Sequence, residues 1–283
     1  TVSLSETTDN GMTISSSFKL MDENTKTDYD AGFTLAFTDG SKLDIINAGN
    51  SAGSHAVSIP SSAGSEGVRN TSTNMAPTGL DFMTAATKLG IEYHTAADFV
   101  ADGLSASISA STDTGAAAGA TYRVDSHIAV GATYVTDFGD TAVTVGAGYT
   151  AAEGSNTGNQ VSDDTGGAHI GISAVTGDLT VAIGAADGSV AGVSLNGSDE
   201  YNGEVLKAGV KYVSGDLTFN VGFASGDSTD LTIGSVSGSE DAKDVTSASV
   251  SYAVASGVTA ILGYTTVEAS DEGASSTDGS AWY

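Results

Sequence analysis

Leu217, Phe219, Val221 and Phe223 occupy every second position of one short stretch, and Thr218, Asn220, Gly222 and Ala224 fill the places between them. Strict alternation puts the two sets on opposite faces of an extended strand. Ala142 to Thr150 repeats the pattern, with Val143, Val145, Ala147 and Tyr149 against Thr144, Gly146, Gly148 and Thr150. Residues 12–20, 33–38, 104–110 and 179–185 follow it as well. One face is apolar throughout and the other is small and mostly polar. Helical spacing is hard to find, and the glycines and β-branched residues inside these stretches disfavour helix. The fold class is therefore all-β, and residues 1–283 read as a single domain, since β-barrels routinely exceed 200 residues in one unit.

Tight-turn signals separate the strands in pairs: Asp9-Asn10-Gly11, Thr38-Asp39-Gly40, Ala97 to Gly103, Phe138-Gly139-Asp140, Thr176-Gly177-Asp178, Ser214-Gly215-Asp216 and Ser256-Gly257. Longer polar stretches lie between the pairs, at about 21–28, 48–87, 112–126, 151–166, 187–203, 226–244 and 269–279. Short and long connections alternate without exception, which is the pattern of an outer-membrane barrel with short periplasmic turns and long extracellular loops. About fourteen complete strands result, and Ser280 to Tyr283 begins another. A chain that opens already alternating, at Thr1 to Ser5, reads as cut at both ends. One further strand before Thr1 would give sixteen, the even number expected of bacterial single-chain barrels.

Composition narrows the classes. Charged residues make up 16%, against about 25% for an ordinary soluble domain, so something other than charge must cover the outside. The 35 acidic and 9 basic residues give a net charge of −26, which repels nucleic-acid phosphates and favours cations as partners. The absence of cysteine excludes disulfides and thiolate metal sites. No apolar run reaches the roughly 18 residues of a spanning helix, so any membrane crossing must use strands.

The hairpin at 8–20 (TDNGMTISSSFKL), the echoed segments VTGDLTVAIGAA and VSGDLTFNVGFAS, and Trp282-Tyr283 heading a last strand carry a resemblance. The chain resembles the sixteen-stranded general porins of Gram-negative bacteria, in particular the acidic, cysteine-free porins of alphaproteobacteria. The resemblance implies a homotrimer in the outer membrane, in contact with its lipids and lipopolysaccharide, through which ions and small hydrophilic solutes diffuse passively. It also implies that the loop between strands five and six folds into the lumen and narrows it. Residues 48–87 match that loop by position and length.

On this reading the apolar face meets acyl chains, and Phe18, Phe37, Tyr134, Tyr149, Tyr212, Tyr252 and Tyr264 share it, most of them toward strand ends as interfacial girdles require. The polar face lines water. Lys19, Lys42, Lys207 and Lys211 fall on it, as do Asp44, Glu92 and His94, where each would set the local field. Glu66, Arg69 and Asp81 on the constriction loop are the expected narrow point, with Lys19 and Lys42 as wall charges opposite. The acidic excess predicts a preference for cations.

No catalytic residue, cofactor or dedicated metal centre is expected. Gly49 to Gly53 (GNSAG) matches the G-x-S-x-G nucleophile pattern, but that motif needs a strand before it and a helix after it, and the residues that follow do not read as a helix. His55, His94, His127 and His169 share no close metal spacing. The doublets Asp163-Asp164, Asp199-Glu200, Glu240-Asp241 and Asp271-Glu272, all in outer loops, suit weak Ca²⁺ or Mg²⁺ binding rather than a built site. The competing reading is a secreted surface-layer or adhesin-like β protein held together by calcium, which acidity and glycine richness fit equally well.

Overall fold

Alternation becomes pairing in the computed structural model, which describes residues 2–18, 32–46, 49–61, 90–112, 122–156, 165–191, 200–229, 240–271 and 277–283. The strands are β1 Val2–Thr7, β2 Thr13–Phe18, β3 Phe33–Ala36, β4 Lys42–Ile45, β5 Gly90–His94, β6 Leu104–Thr112, β7 Tyr122–Phe138, β8 Thr141–Asn156, β9 Thr165–Thr176, β10 Leu179–Ala191, β11 Glu200–Ser214, β12 Leu217–Thr229, β13 Glu240–Ala255, β14 Val258–Asp271 and β15 Thr277–Trp282. They form one 15-stranded sheet in sequence order. Every pairing is antiparallel, from β1 with β2 to β14 with β15. The one helix among the described residues is α1, Ser51–Ser54.

All seven short turns fall where the sequence signals them, and each carries a glycine at positive φ, between 55° and 90°. At Gly139-Asp140, Gly177-Asp178 and Gly215-Asp216 the glycine comes first and the aspartate keeps negative φ, the sign pattern of a type II′ hairpin. Such turns match the right-handed strand twist and fix the register of the long hairpins that leave them. Asp39 adds a side-chain clasp, accepting from the Ser41 N–H at 2.9 Å and the Ser41 hydroxyl at 2.7 Å. These bonds hold its carboxyl below the usual range.

The last five long connections are shorter than expected. Strand β10 continues to Ala191 and β11 begins at Glu200, β12 runs to Thr229 and β13 begins at Glu240, and β14 reaches Asp271. Glu200, Glu240, Asp241 and Asp271 are thus strand residues, not loop residues, with Asp241 opposite Asp271. The backbone ladder is indifferent to side-chain polarity. Where alternation turns polar, the sheet leaves its apolar surroundings without ceasing to pair.

Burial is inverted relative to a soluble domain. Ile170 is 60% exposed and Val221 51%, and Ile172, Val181, Ile183, Phe219 and Phe223 are exposed with them. Ser107, Ser109, Thr150, Asn220, Ser247 and Ser249 are buried instead. A contiguous apolar exterior of this extent is untenable in water. In lipid it is the stable arrangement, because neighbouring strands satisfy one another's backbone polar groups. Tyr134, Tyr149, Tyr212 and Tyr252 lie on this outer face, exposed. Tyr212 stacks on Phe219 across the β11–β12 ladder with ring centroids 6.5 Å apart, and Tyr264 meets Trp282 at 4.5 Å. The Phe18 side chain lies outside the described residues.

Candidate site: the inner wall and the segment that crosses it

The connection from β4 to β5 spans residues 46–89, and its described part, 49–61, lies against the inner face of the sheet. Asn50 starts it by capping α1, its side chain accepting from the Ala52 N–H at 3.0 Å and the Gly53 N–H at 3.3 Å. The capped turn falls within the GNSAG motif itself and is one turn long, and residues 55–61 after it continue without helix, as the sequence led one to expect. The strand–turn–helix context of a nucleophile is therefore missing. Ser51 is fully buried. Its hydroxyl donates to Glu92 Oε1 at 3.0 Å and its N–H to Ser109 Oγ at 3.1 Å, which makes it an anchor.

Glu92 fastens the start of the segment, taking the Gly49 N–H on Oε2 at 2.6 Å besides the Ser51 hydroxyl. His55 spans two strands, with Nδ1 2.7 Å from Thr133 Oγ1 and Nε2 2.9 Å from Ser107 Oγ. His169 Nε2 donates to the Ala52 carbonyl at 2.7 Å. Burial pushes the His55 imidazole below its ordinary range, His94 adds to this and Glu92 opposes it.

From β5 the segment runs over successive strands to β12, along a track where the wall lacks side chains. A Cβ at Gly131 would land on the Ser51 carbonyl oxygen, one at Gly146 on the His55 carbonyl, and one at Gly209 on the Pro60 carbonyl. At Gly171 it would lie 2.9 Å from Val57 Cβ, and at Gly222 3.0 Å from Ser61 Cα. The small face of the alternating strands is thus a bed for this segment. Behind it remains a cavity of about 200 Å³, bounded by Val57, Ile59, His169, Ala186 and Lys207.

Among the site residues expected from sequence, Lys42, Asp44, Glu92, Lys207 and Lys211 lie on the inner face. Lys42 Nζ is 3.4 Å from Asp44 Oδ2. Asp44 and Glu92 are direct cross-strand partners, as are Lys42 and His94. His94 Nε2 stands 3.1 Å from Asp44 Oδ2 and 3.5 Å from Glu92 Oε2. Lys207 and Lys211 share the inner side of β11, far along the sheet from that group. Glu66, Arg69, Asp81 and Lys19 lie outside the described residues. Sequence reasoning left out His55 and His169 as wall contacts and Lys243 as an inner-face cation. Strand parity alone would have placed His169, Lys243 needed the unexpectedly early start of β13 at Glu240, and the position of His55 depends on the path of a connection that carries no period.

A family model described as Gram-negative porin matches residues 1–272. A search of curated protein sequences finds no match. Among solved structures, a porin is similar at 17% identity and a TM-score of 0.59, covering 99% of this chain and 90% of the other. An anion-selective porin from Comamonas acidovorans is similar at 12% identity and a TM-score of 0.59, covering 98% and 82%. The outer membrane protein OmpT of Vibrio cholerae, folded in vitro and in trimer form, is similar at 13% identity and a TM-score of 0.54, covering 99% and 89%. The likeness to these structures extends over the whole fold, and the match of the family model over nearly all of the sequence settles the assignment: the chain belongs to the Gram-negative porin family of the outer membrane.

Proposed function

We propose that this outer-membrane porin is a passive, non-enzymatic channel for ions and small hydrophilic solutes, that it prefers cations, and that the 46–89 connection sets its narrowest point. The observation that carries the reading is the course of residues 49–61, tied by Glu92, His55 and His169 across the wall that faces away from the apolar exterior. A chain fastened inside a barrel takes up cross-section and fixes a solute cutoff. Glu66, Arg69 and Asp81 follow on the same connection and supply charge at the constriction, with Lys19 and Lys42 opposite.

The cation preference originates at the mouth. The inner-face strand residues include Lys42, Lys207, Lys211 and Lys243 as well as the acids Asp44, Glu92 and Asp137, whereas exposed Asp187, Glu204, Asp227, Asp244, Glu268 and Asp278 crowd the loop-side strand ends. With a net charge of −26, those ends concentrate cations before they enter. The same acids hold Ca²⁺ or Mg²⁺ weakly against lipopolysaccharide phosphates. The chain assembles as a homotrimer, a reading supported by the trimer form of the Vibrio cholerae protein. A calcium-held soluble array would leave Ile170, Val221 and their neighbours in water, and nothing in the sheet supports it.

Reversal potentials across a salt gradient test the preference. A field from the mouth is screened over about 10 Å at 0.1 M salt and about 3 Å at 1 M. Cation preference should be marked near 0.1 M and collapse near 1 M. Anion preference at low salt would overturn it.

A further inference from the structure

Asp44 and Glu92 face each other across the β4–β5 ladder, and like charges placed directly opposite destabilise a sheet. The Glu92 side chain is only 4% exposed, and its one ion-pair partner among the described residues is His94. His94 Nε2 lies 3.1 Å from one carboxylate and 3.5 Å from the other. A single ring nitrogen can aim its proton at one of them only. One ligand atom from each of the three residues lies within 4.8 Å of the others. A tetrahedral ion with bonds of about 2.0–2.2 Å sets its ligand atoms roughly 3.3–3.5 Å apart, close to both histidine–carboxylate separations here.

We propose that Asp44, Glu92 and His94 bind a divalent transition-metal ion of the zinc class. The donor set is one imidazole and two carboxylates, all on the inner face, with water or a passing solute completing the fourth position. A hard ion such as Ca²⁺ takes six to eight oxygens, more than this group offers, and imidazole favours zinc and its neighbours. Thr34 Oγ1 donates to the second Asp44 oxygen and fixes that carboxylate from behind. The expectation of no metal centre rested on histidine spacing. The partners of His94 are instead carboxylates brought in by strand register, Asp44 being 50 positions away.

The site is coupled to the segment. Glu92 Oε2, the oxygen nearest His94, also accepts the Gly49 N–H at 2.6 Å. An ion on that oxygen competes with the bond that fastens residues 49–61, so occupancy alters conductance. This coupling rests on the porin reading above, whereas the binding does not.

The test uses the full chain, extracted in detergent and stripped with chelator. Calorimetric titration with Zn²⁺ should give one saturable site, unaffected by millimolar Ca²⁺. Asp44→Asn and His94→Ala, each first shown to be folded by heat modifiability, should weaken it by more than the roughly 10–100-fold that loss of an outer-sphere partner costs. Lys42→Ala should tighten it severalfold, because Lys42 Nζ competes for Asp44 Oδ2 from 3.4 Å. Absence of saturable Zn²⁺ binding, binding unchanged in both folded variants, or displacement by Ca²⁺ would each overturn the site. Openings in planar bilayers under chelator report on the pore separately. Their absence beside intact Zn²⁺ binding overturns the porin reading and leaves the site standing. Openings that Zn²⁺ leaves unchanged, despite binding, overturn the coupling.

Discussion

His55 is the residue whose chemistry most directly governs how the segment sits. Its two ring nitrogens reach Thr133 and Ser107 on adjacent strands, and its burial there lowers its affinity for a proton. The free side chain titrates near 6.5, so a released segment binds protons more readily than an attached one. Attachment is therefore at full strength above about pH 6.5 and weakens as pH falls below it toward the lower attached value. Open-channel current noise should rise between pH 7.5 and pH 5, and His55→Gln, which keeps polar atoms but does not titrate, should flatten that rise. Parity on alternating strands made the inward placement of Lys42, Asp44, Glu92, Lys207 and Lys211 legible from sequence. The meeting of Asp44 with Glu92 and His94 was not, because it depends on a register across a long connection.

At the level of the element, the turns were legible because each carries a glycine at positive φ, which at the two-residue connections leaves few alternatives. Strand ends were not, because alternation fades where the apolar layer stops while the ladder goes on to Ala191, Thr229 and Asp271. The segment 49–61 obeys no period, and its bed could be read only as a run of small residues on the wall. Gly209→Val tests that bed: its Cβ would strike the Pro60 carbonyl. Overpacking costs about 1–3 kcal/mol, and pushing the segment off the wall should lower single-channel conductance. Unchanged conductance in folded Gly209→Val protein would remove the segment from the conduction path. The outer face has its own test. Val221, mid-strand and 51% exposed, should cost about 2–4 kcal/mol on conversion to arginine if it faces the bilayer centre. A soluble surface would tolerate the same change within about 0.5 kcal/mol. Urea unfolding in lipid vesicles separates the two.

For the whole molecule, the same alternation that writes an apolar exterior also writes a small, polar interior, and residues 49–61 of the connection between β4 and β5 lie against that interior. The exterior places the chain in the membrane. On the function proposed above, the interior leaves a water-filled route whose width the inserted segment limits and whose ionic bias the acidic strand ends supply. Planar-bilayer recording from the folded, detergent-extracted protein is the most direct test of that claim. Stepwise openings of uniform, stable size are the predicted result. No openings from protein that is folded by heat modifiability would contradict an open pore.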